Sequence, residues 1–321
     1  MHVNHSAGTP SSIAMPSRYA SGMSRRNLCL AVVLLVGALA VACGDDGAPT
    51  AGGDQSNCRA PFEGDFADVE AYPVFASTQI AVGSNRLLVG LQNNDDAPIA
   101  SPSSDMHIDF FDLTSCPAKP AESVDLEFMW TIKPVVGLYR GEATFDRAGI
   151  WGAEVSISGD VDETVKASFE VVEETTTPAL GSPAPASDTP TSGDAKDLSV
   201  ISTDKKPDPR YYDLSVADAL KKKKPFVVVF ATPKFCQSQT CGPTLDIVKS
   251  VAEDYPKLTF IHVEPYELPA DPTNLKSVPA AEEWGLPSEP WVFVVDAKGN
   301  VTAKYEGAIA PEEMRAELAK L

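Results

Sequence analysis

Positive charge is in short supply in this chain. Lys and Arg number 26 against 45 Asp and Glu, a formal net charge of -19. Proteins that hold polyanions neutralise phosphates with basic patches, so nucleic acid is excluded as the main partner. Histidine is scarcer still, at four, and the six cysteines are scattered. That excludes zinc fingers and disulfide-dense mini-scaffolds. The strongest apolar run, 28–42, is fifteen residues long, short of the about 20 that a membrane-spanning helix needs. No internal repeat is visible. What is plentiful is ordinary core-forming sequence: 43% of the residues are hydrophobic and 22% charged, enough to bury cores. A chain of 321 residues predicts about two domains.

The run 28–42 follows Ser24, Arg25, Arg26 and Asn27 and ends at Cys43. A short basic segment, a short apolar stretch and small residues at a cut site make an export signal. Residues 1–22 add nothing to this pattern, and Met23 is an alternative start. Leu39-Ala40-Val41-Ala42-Cys43 resembles the lipobox of bacterial lipoproteins, although Ala40 stands where a larger aliphatic residue is usual. The paired arginines also resemble, weakly, a twin-arginine signal. The lipoprotein resemblance implies a signal peptide over 1–42, acylation of Cys43, and a lipid anchor on the outer side of the cytoplasmic membrane. The alternative is an ordinary cleaved signal with Cys43 free. The signal carries Arg18, Arg25 and Arg26 and no acid, so the remaining chain is more acidic still. Anionic headgroups repel such a body, and acyl chains would have to hold it at a membrane. Four cysteines lie beyond Cys43: Cys58, Cys116, Cys236 and Cys241. Paired cysteines in an exported chain allow disulfides.

Two stretches divide the chain. Residues 43–59 contain the small, polar 44–55 and read as a flexible tether. Residues 174–195, rich in Pro, Thr, Ser and Ala, read as a disordered linker. Between them, 60–173 shows alternating apolar patterns at 79–82, 86–92, 107–112, 124–130, 138–145, 151–158 and 164–172, separated by turn residues. Seven short strands without a helical period predict an antiparallel sandwich. The stretch 139–151, with Asp146, Gly149 and Trp151, resembles the strand–corner–strand segment of immunoglobulin-like domains, spaced one residue wider. That implies an architecture and no activity. Cys58 and Cys116 are expected to form a structural disulfide that pins the end of the tether. Met106 and His107 are expected to be packing and surface residues rather than copper ligands.

The chemistry concentrates in 196–321. Ser215 and Asp218 open a helix that ends in Lys221–Lys224, acid early and base late as the helix dipole prefers. The lysine run is then a solvated helix end rather than a polyanion patch. The unbroken apolar run 226–230 predicts a strand buried on both faces. A loop carrying Cys236 and Cys241 follows, then Gly242-Pro243 and a helix with Leu245, Val248, Val251 and Ala252 on one face. A strand at 258–263, a hairpin of 291–295 with 301–305, and a Pro311-initiated helix complete the order.

This order resembles the thioredoxin fold over roughly 205–321. Three features carry the resemblance: an apolar strand delivering cysteines to a helix N-terminus, Cys241-Gly242-Pro243, and Glu289-Pro290 just before the hairpin. It implies thiol–disulfide exchange with extracytoplasmic protein thiols or disulfides, needing no cofactor, and a cis-proline at Pro290 shaping the substrate groove. Cys236, first off the strand, is the expected attacking thiol and Cys241 the resolving one. The reverse assignment stays open, because Cys241 precedes Gly-Pro. A thiol at a helix N-terminus meets unpaired N–H groups and a positive dipole end, which favour the reactive thiolate.

There are departures from the family. Thioredoxins have two residues between their cysteines, whereas here there are four, and Thr244 stands where the second cysteine would be. Residues five apart on a continuous helix point about 140° apart, so pairing needs a curled loop or an unwound first turn. The family's buried Asp on the preceding strand is missing. Some peroxiredoxins place their two cysteines at this four-residue gap, but they also need a Pro-x-x-x-Thr-x-x-Cys approach and an arginine, whereas here Pro233 lies only three before Cys236 and no arginine is near. Sco-type copper chaperones need a distant histidine, for which His262 is the candidate. A non-catalytic docking module stapled by a 236–241 disulfide is the alternative from another class. Glu264 and Glu267 are expected on a solvated loop. Trp284 is expected as the last core residue of a short helix capped by Gly285. Trp291 either lines the site or simply begins a strand.

Overall fold

Alternation along the sequence becomes a curled sheet in the N-terminal lobe. The computed structural model describes residues 56–321 except 65, 67 and 115. The expected signal peptide, Cys43 and most of the tether therefore lie outside the described residues. A one-turn helix α1 (Ser56–Arg59) leads into strands β1 (Ala71–Phe75), β2 (Ile80–Ala81), β3 (Gly83–Asn93), β4 (Asp105–Asp112), β5 (Pro120–Ile132), β6 (Val136–Phe145), β7 (Gly149–Ser158) and β8 (Glu163–Val172). They form one sheet in the order β1-β3-β6-β5-β4-β7-β8-β2. All neighbours are antiparallel except β2 and β8.

The long β5 makes the sheet continuous. Its first half pairs with β4 and its second half with β6. The sheet curls over a core that includes Leu87, Val89, Tyr139 and Phe145 from one half and Ile108, Phe110, Trp151 and Val155 from the other. Two separate sandwich sheets were expected from the strand pattern; a single curled sheet is observed. The β6–β7 corner is held by Trp151, whose indole N–H donates to the Arg147 carbonyl at 3.2 Å, and by an Arg147–Asp112 ion pair. Met106 is buried in the core, while His107 on the other face of β4 meets Asp125 at 2.6 Å. Cys58 and Cys116 form a disulfide with Cα atoms 5.7 Å apart, which fastens α1 to the lobe.

The C-terminal lobe is built on a four-stranded sheet. Its elements are α2 (Val216–Lys221), β9 (Phe226–Phe230), α3 (Cys241–Ala252), β10 (Thr259–Val263), α4 (Pro279–Glu283), β11 (Trp291–Val295), β12 (Val301–Glu306) and α5 (Pro311–Leu318). The strand order is β10-β9-β11-β12, with β10 parallel and β11 antiparallel to β9. Successive side chains of β9 point to opposite faces. Phe226, Val228 and Phe230 meet α2 and α4, whereas Val227 and Val229 meet α3 and α5. Every residue of β9 and β11 is buried, which explains the unbroken apolar runs. The Ser215 hydroxyl caps α2 by accepting from the Asp218 N–H at 3.1 Å. Trp284 follows α4 fully buried, with Gly285 in the left-handed region at φ 59°. Trp291 begins β11 and stacks on Phe293.

The stretch 174–195 corrects an expectation. In place of a disordered linker there is a strap with a defined path over the C-terminal lobe. Its prolines donate nothing, but several of its other amides and hydroxyls find partners. The Gly181 N–H donates to the Val301 carbonyl at 2.7 Å and the Ala184 N–H to Gly299 at 2.9 Å, which covers the β12 edge. The Thr189 hydroxyl accepts from the Val216 N–H at 3.1 Å, and the Ser187 hydroxyl accepts from the Trp284 indole at 3.2 Å. Ser187 and Thr189 are buried. Composition alone misses this because small residues bury little apolar area yet satisfy backbone groups well.

The two lobes meet through Arg86 of β3. Its guanidinium grips the Glu313 carboxylate with two bonds of 2.7 and 2.9 Å and donates to the Ala308 carbonyl at 2.9 Å. Leu88, Met129 and Leu138 pack beside it on Ala308 and Ala310. Among the described residues no helix is long and apolar enough to cross a membrane.

Candidate functional site

The site forms where β9 ends and α3 begins. After Phe230 the chain turns through 231–240, and it is curled rather than helical. The Thr232 carbonyl accepts from both the Phe235 and Cys236 amides, at 3.3 and 3.1 Å. Gln239 takes left-handed backbone, φ 59°, as its N–H donates to the Cys236 carbonyl at 3.3 Å. This curl resolves the spacing problem. It carries Cys236 back over the first turn of α3, where Cys241 is the first helical residue.

The Cys241 backbone N–H donates to Cys236 Sγ at 3.3 Å, and Ser238 Oγ lies 3.2 Å from the same sulfur. Cys236 is partly exposed and Cys241 is fully buried. The Cys236 thiol is pulled down to about 5, mostly by the Cys241 thiol as donor and then by Ser238 and the Cys241 and Thr240 amides, against the opposing effect of burial. The Cys241 thiol is pushed up, first by that shared proton and then by burial. The pair therefore holds one proton, on Cys241, with a nucleophilic thiolate on the accessible sulfur.

A third group completes the cluster. A Glu289 carboxylate oxygen and the two Sγ atoms all lie within 4.8 Å of one another. Glu289 precedes Pro290, and the Glu289–Pro290 peptide is cis. The Pro290 carbonyl accepts from the Gly307 N–H at 2.8 Å, and the Gly307 carbonyl accepts from the Thr244 hydroxyl at 3.1 Å. Thr244, at the place of the second family cysteine, thus ties α3 to the loop before α5.

His262 is not at this site. It is fully enclosed, with Nδ1 2.6 Å from the Tyr212 hydroxyl and Nε2 2.9 Å from the Ala231 carbonyl. Both ring nitrogens are occupied by protein partners, which removes it as a copper ligand. Its role is to brace the start of the cysteine loop. Glu264 also corrects an expectation. It is buried rather than solvated, and it accepts from the Thr203 N–H and hydroxyl at 2.8 and 2.7 Å. Glu267 is exposed.

Sequence reasoning passed over Glu289 and Tyr266 as participants. The Tyr266 hydroxyl donates to Glu289 Oε2 at 2.8 Å. The available signal was an acid directly before the one proline expected to face the thiols.

Residues 212–321 match the model of a thioredoxin-like domain. The C-terminal lobe is thioredoxin-like. None of the curated proteins matches the chain.

Proposed function

We propose that the protein is a thiol–disulfide oxidoreductase that exchanges disulfides with exported proteins through Cys236 and Cys241. One observation carries this reading. The partly exposed Cys236 sulfur accepts the first amide of α3, while the buried Cys241 thiol stands within 4.8 Å of it. This supports Cys236 as the attacking thiolate and Cys241 as the resolving thiol. The thioredoxin-like match over 212–321 and the cis-proline at 290 support the same reading.

In the forward direction Cys236 attacks one sulfur of a substrate disulfide and expels the other as a thiolate. Cys241 then attacks Cys236, releases the second substrate thiol and leaves a 236–241 disulfide. Hydrogen-bond donors, the Cys241 N–H and the Ser238 hydroxyl, stabilise the Cys236 thiolate here, where the peroxidase pattern relies on an arginine. The lipobox resemblance at 39–43 supports an anchor on Cys43 and an extracytoplasmic location. The curled-sheet lobe, with its immunoglobulin-like corner, would then hold the redox lobe off the membrane.

The test is a trap. Cys241→Ser should accumulate mixed disulfides between Cys236 and exported proteins, released by dithiothreitol and identified by mass spectrometry. Cys236→Ser should give none. Absence of adducts from Cys241→Ser, with a 236–241 bridge inert to mild reductant, would leave a docking module in place of the enzyme.

A further inference from the structure

The resolving thiol needs a base, and the strand behind it, β9, has none. The side chains of β9 are all apolar and buried. Cys241 itself has no solvent exposure, so bulk water cannot take its proton directly. The only carboxylate grouped with the two sulfurs among the described residues is Glu289, which comes from the loop facing them rather than from the strand behind. Tyr266, on the segment after β10, donates to its Oε2 at 2.8 Å and fixes the rotation of the carboxylate.

We propose that Glu289 is the catalytic proton acceptor and donor for Cys241, with Tyr266 as its positioning residue. This rests on the dithiol reading above. In the resting reduced state Cys241 shares its proton with the Cys236 thiolate. Once Cys236 is bonded to a substrate sulfur, that acceptor is gone. The Glu289 carboxylate then takes the proton from Cys241 Sγ. The Cys241 electron pair forms the bond to Cys236 Sγ, and the bond between Cys236 and the substrate sulfur breaks. That sulfur leaves with the bonding pair as a thiolate and takes a proton back from the Glu289 carboxylic acid. The protein dithiol is oxidised by two electrons and the substrate disulfide is reduced to one thiolate, the first sulfur expelled, and one thiol, with Glu289 returned to its starting form; the thiolate takes its proton from water. Run backwards, the same residue protonates Cys241.

The surroundings suit that task. Burial pushes the Glu289 carboxyl up from its ordinary value, the Tyr266 hydroxyl opposes this, and the Cys236 charge adds to it. A carboxyl raised toward neutrality accepts a proton and gives it up again. The titratable groups that act on it are Cys236 from the loop, Cys241 from α3, and Tyr266 and Glu264 from the segment after β10. Burial also pushes Glu264 up, against the opposing hydrogen bonds from Thr232 and Thr203.

The experiment mixes the reduced full chain rapidly with 5,5′-dithiobis(2-nitrobenzoate), whose leaving thiolate is coloured. The phase missing from Cys241→Ser is the resolving step. Glu289→Gln should leave the Cys236 attack within about threefold but slow the resolving phase on the order of 10²-fold at neutral pH. What remains should rise in proportion to hydroxide. Tyr266→Phe should keep the fast resolving phase and shift its pH midpoint upward, because the carboxylate has lost a donor. A resolving phase unchanged in rate and midpoint in both variants overturns the role of Glu289. A wild-type chain with no Cys241-dependent phase at all overturns the dithiol reading, and this proposal with it.

Discussion

The backbone N–H of Cys241 points at the sulfur of Cys236 from 3.3 Å. That single relationship sets the chemistry of the pair, because the amide belongs to the first turn of a twelve-residue helix. An anion there receives a hydrogen bond that the helix cannot satisfy internally, plus the dipole of the whole element. The curl of 231–240 exists to bring the sulfur to that amide.

The first prediction concerns the titration of Cys236. With its thiol lowered to about 5, the reactive thiolate forms as pH rises through that value. Alkylation of the reduced chain by iodoacetamide should climb between about pH 4 and 6 and stay flat to pH 8. Peptide mapping should place the label on Cys236, with Cys241 unlabelled in the native state. A rate that keeps rising to pH 9 would mean an ordinary thiol and would remove the activation described above.

A second prediction separates the two cysteine pairs. The Cys58–Cys116 bridge spans a sequence separation of 58 and restrains the unfolded chain. The double variant Cys58→Ser/Cys116→Ser should lose about 2–4 kcal/mol in urea unfolding. Its Cys236 alkylation profile should match the wild type, since the bridge lies in the other lobe. Altered Cys236 reactivity would show instead that the lobes are coupled through this disulfide.

How far the sequence carried these conclusions depends on what each residue had to do. Seven of the eight N-terminal strands follow alternation that is plain in the sequence, and β9 and β11 follow unbroken apolar runs. Strand β1 lies outside the alternation read from the sequence; it contains Pro73, and its position at the edge of the sheet tolerates a missing donor. The curl of the sheet was illegible, since pairing of β5 with both β4 and β6 depends on long-range register. The strap at 174–195 was misread because its hold is polar and its partners, Val301 and Val216, are distant in sequence. At the site, the cysteines and Pro290 were legible as a motif. Glu289 was on the page beside Pro290, but its approach to the sulfurs exists only after β11 pairs with β9.

The third prediction concerns the joint between the lobes. Burial pushes the Glu313 carboxyl up, but the Arg86 bonds and charge, the Ala310 amide and the Arg140 charge together hold it below its ordinary value. An acid depressed in the folded state contributes stability above its unfolded value of 4.5, and that contribution is lost as pH falls through the folded value. The Arg86 and Glu313 side chains are 14% and 11% exposed, so Arg86→Ala strands a shielded carboxylate. It should cost about 3 kcal/mol at pH 7, measured by urea unfolding, and flatten the loss of stability below about pH 4.5. Equal stability of variant and wild type at pH 7 would show that the joint is incidental to the fold.

The last prediction uses the enclosed histidine. Burial lowers His262 from 6.5 to about 4, against the opposing effect of the Ala231 carbonyl, so it is neutral in the folded chain at pH 7. In the unfolded chain it takes up a proton near 6.5. Between those values the unfolded state binds more protons, so stability rises with pH, is complete above about 6.5, and is lost as pH falls toward 4. The span corresponds to roughly 3 kcal/mol. His262→Gln keeps a donor that can reach the Ala231 carbonyl and removes the titration. The variant should be somewhat less stable than wild type at pH 7, because the bond to Tyr212 is disturbed, yet it should lose less stability than wild type between pH 6.5 and 4.5. Because His262 braces the entry to the cysteine loop, its Cys236 alkylation rate at pH 7 is the accompanying readout, expected to change only modestly. Parallel pH–stability curves for the two proteins would show that some other group carries the acid sensitivity of this lobe.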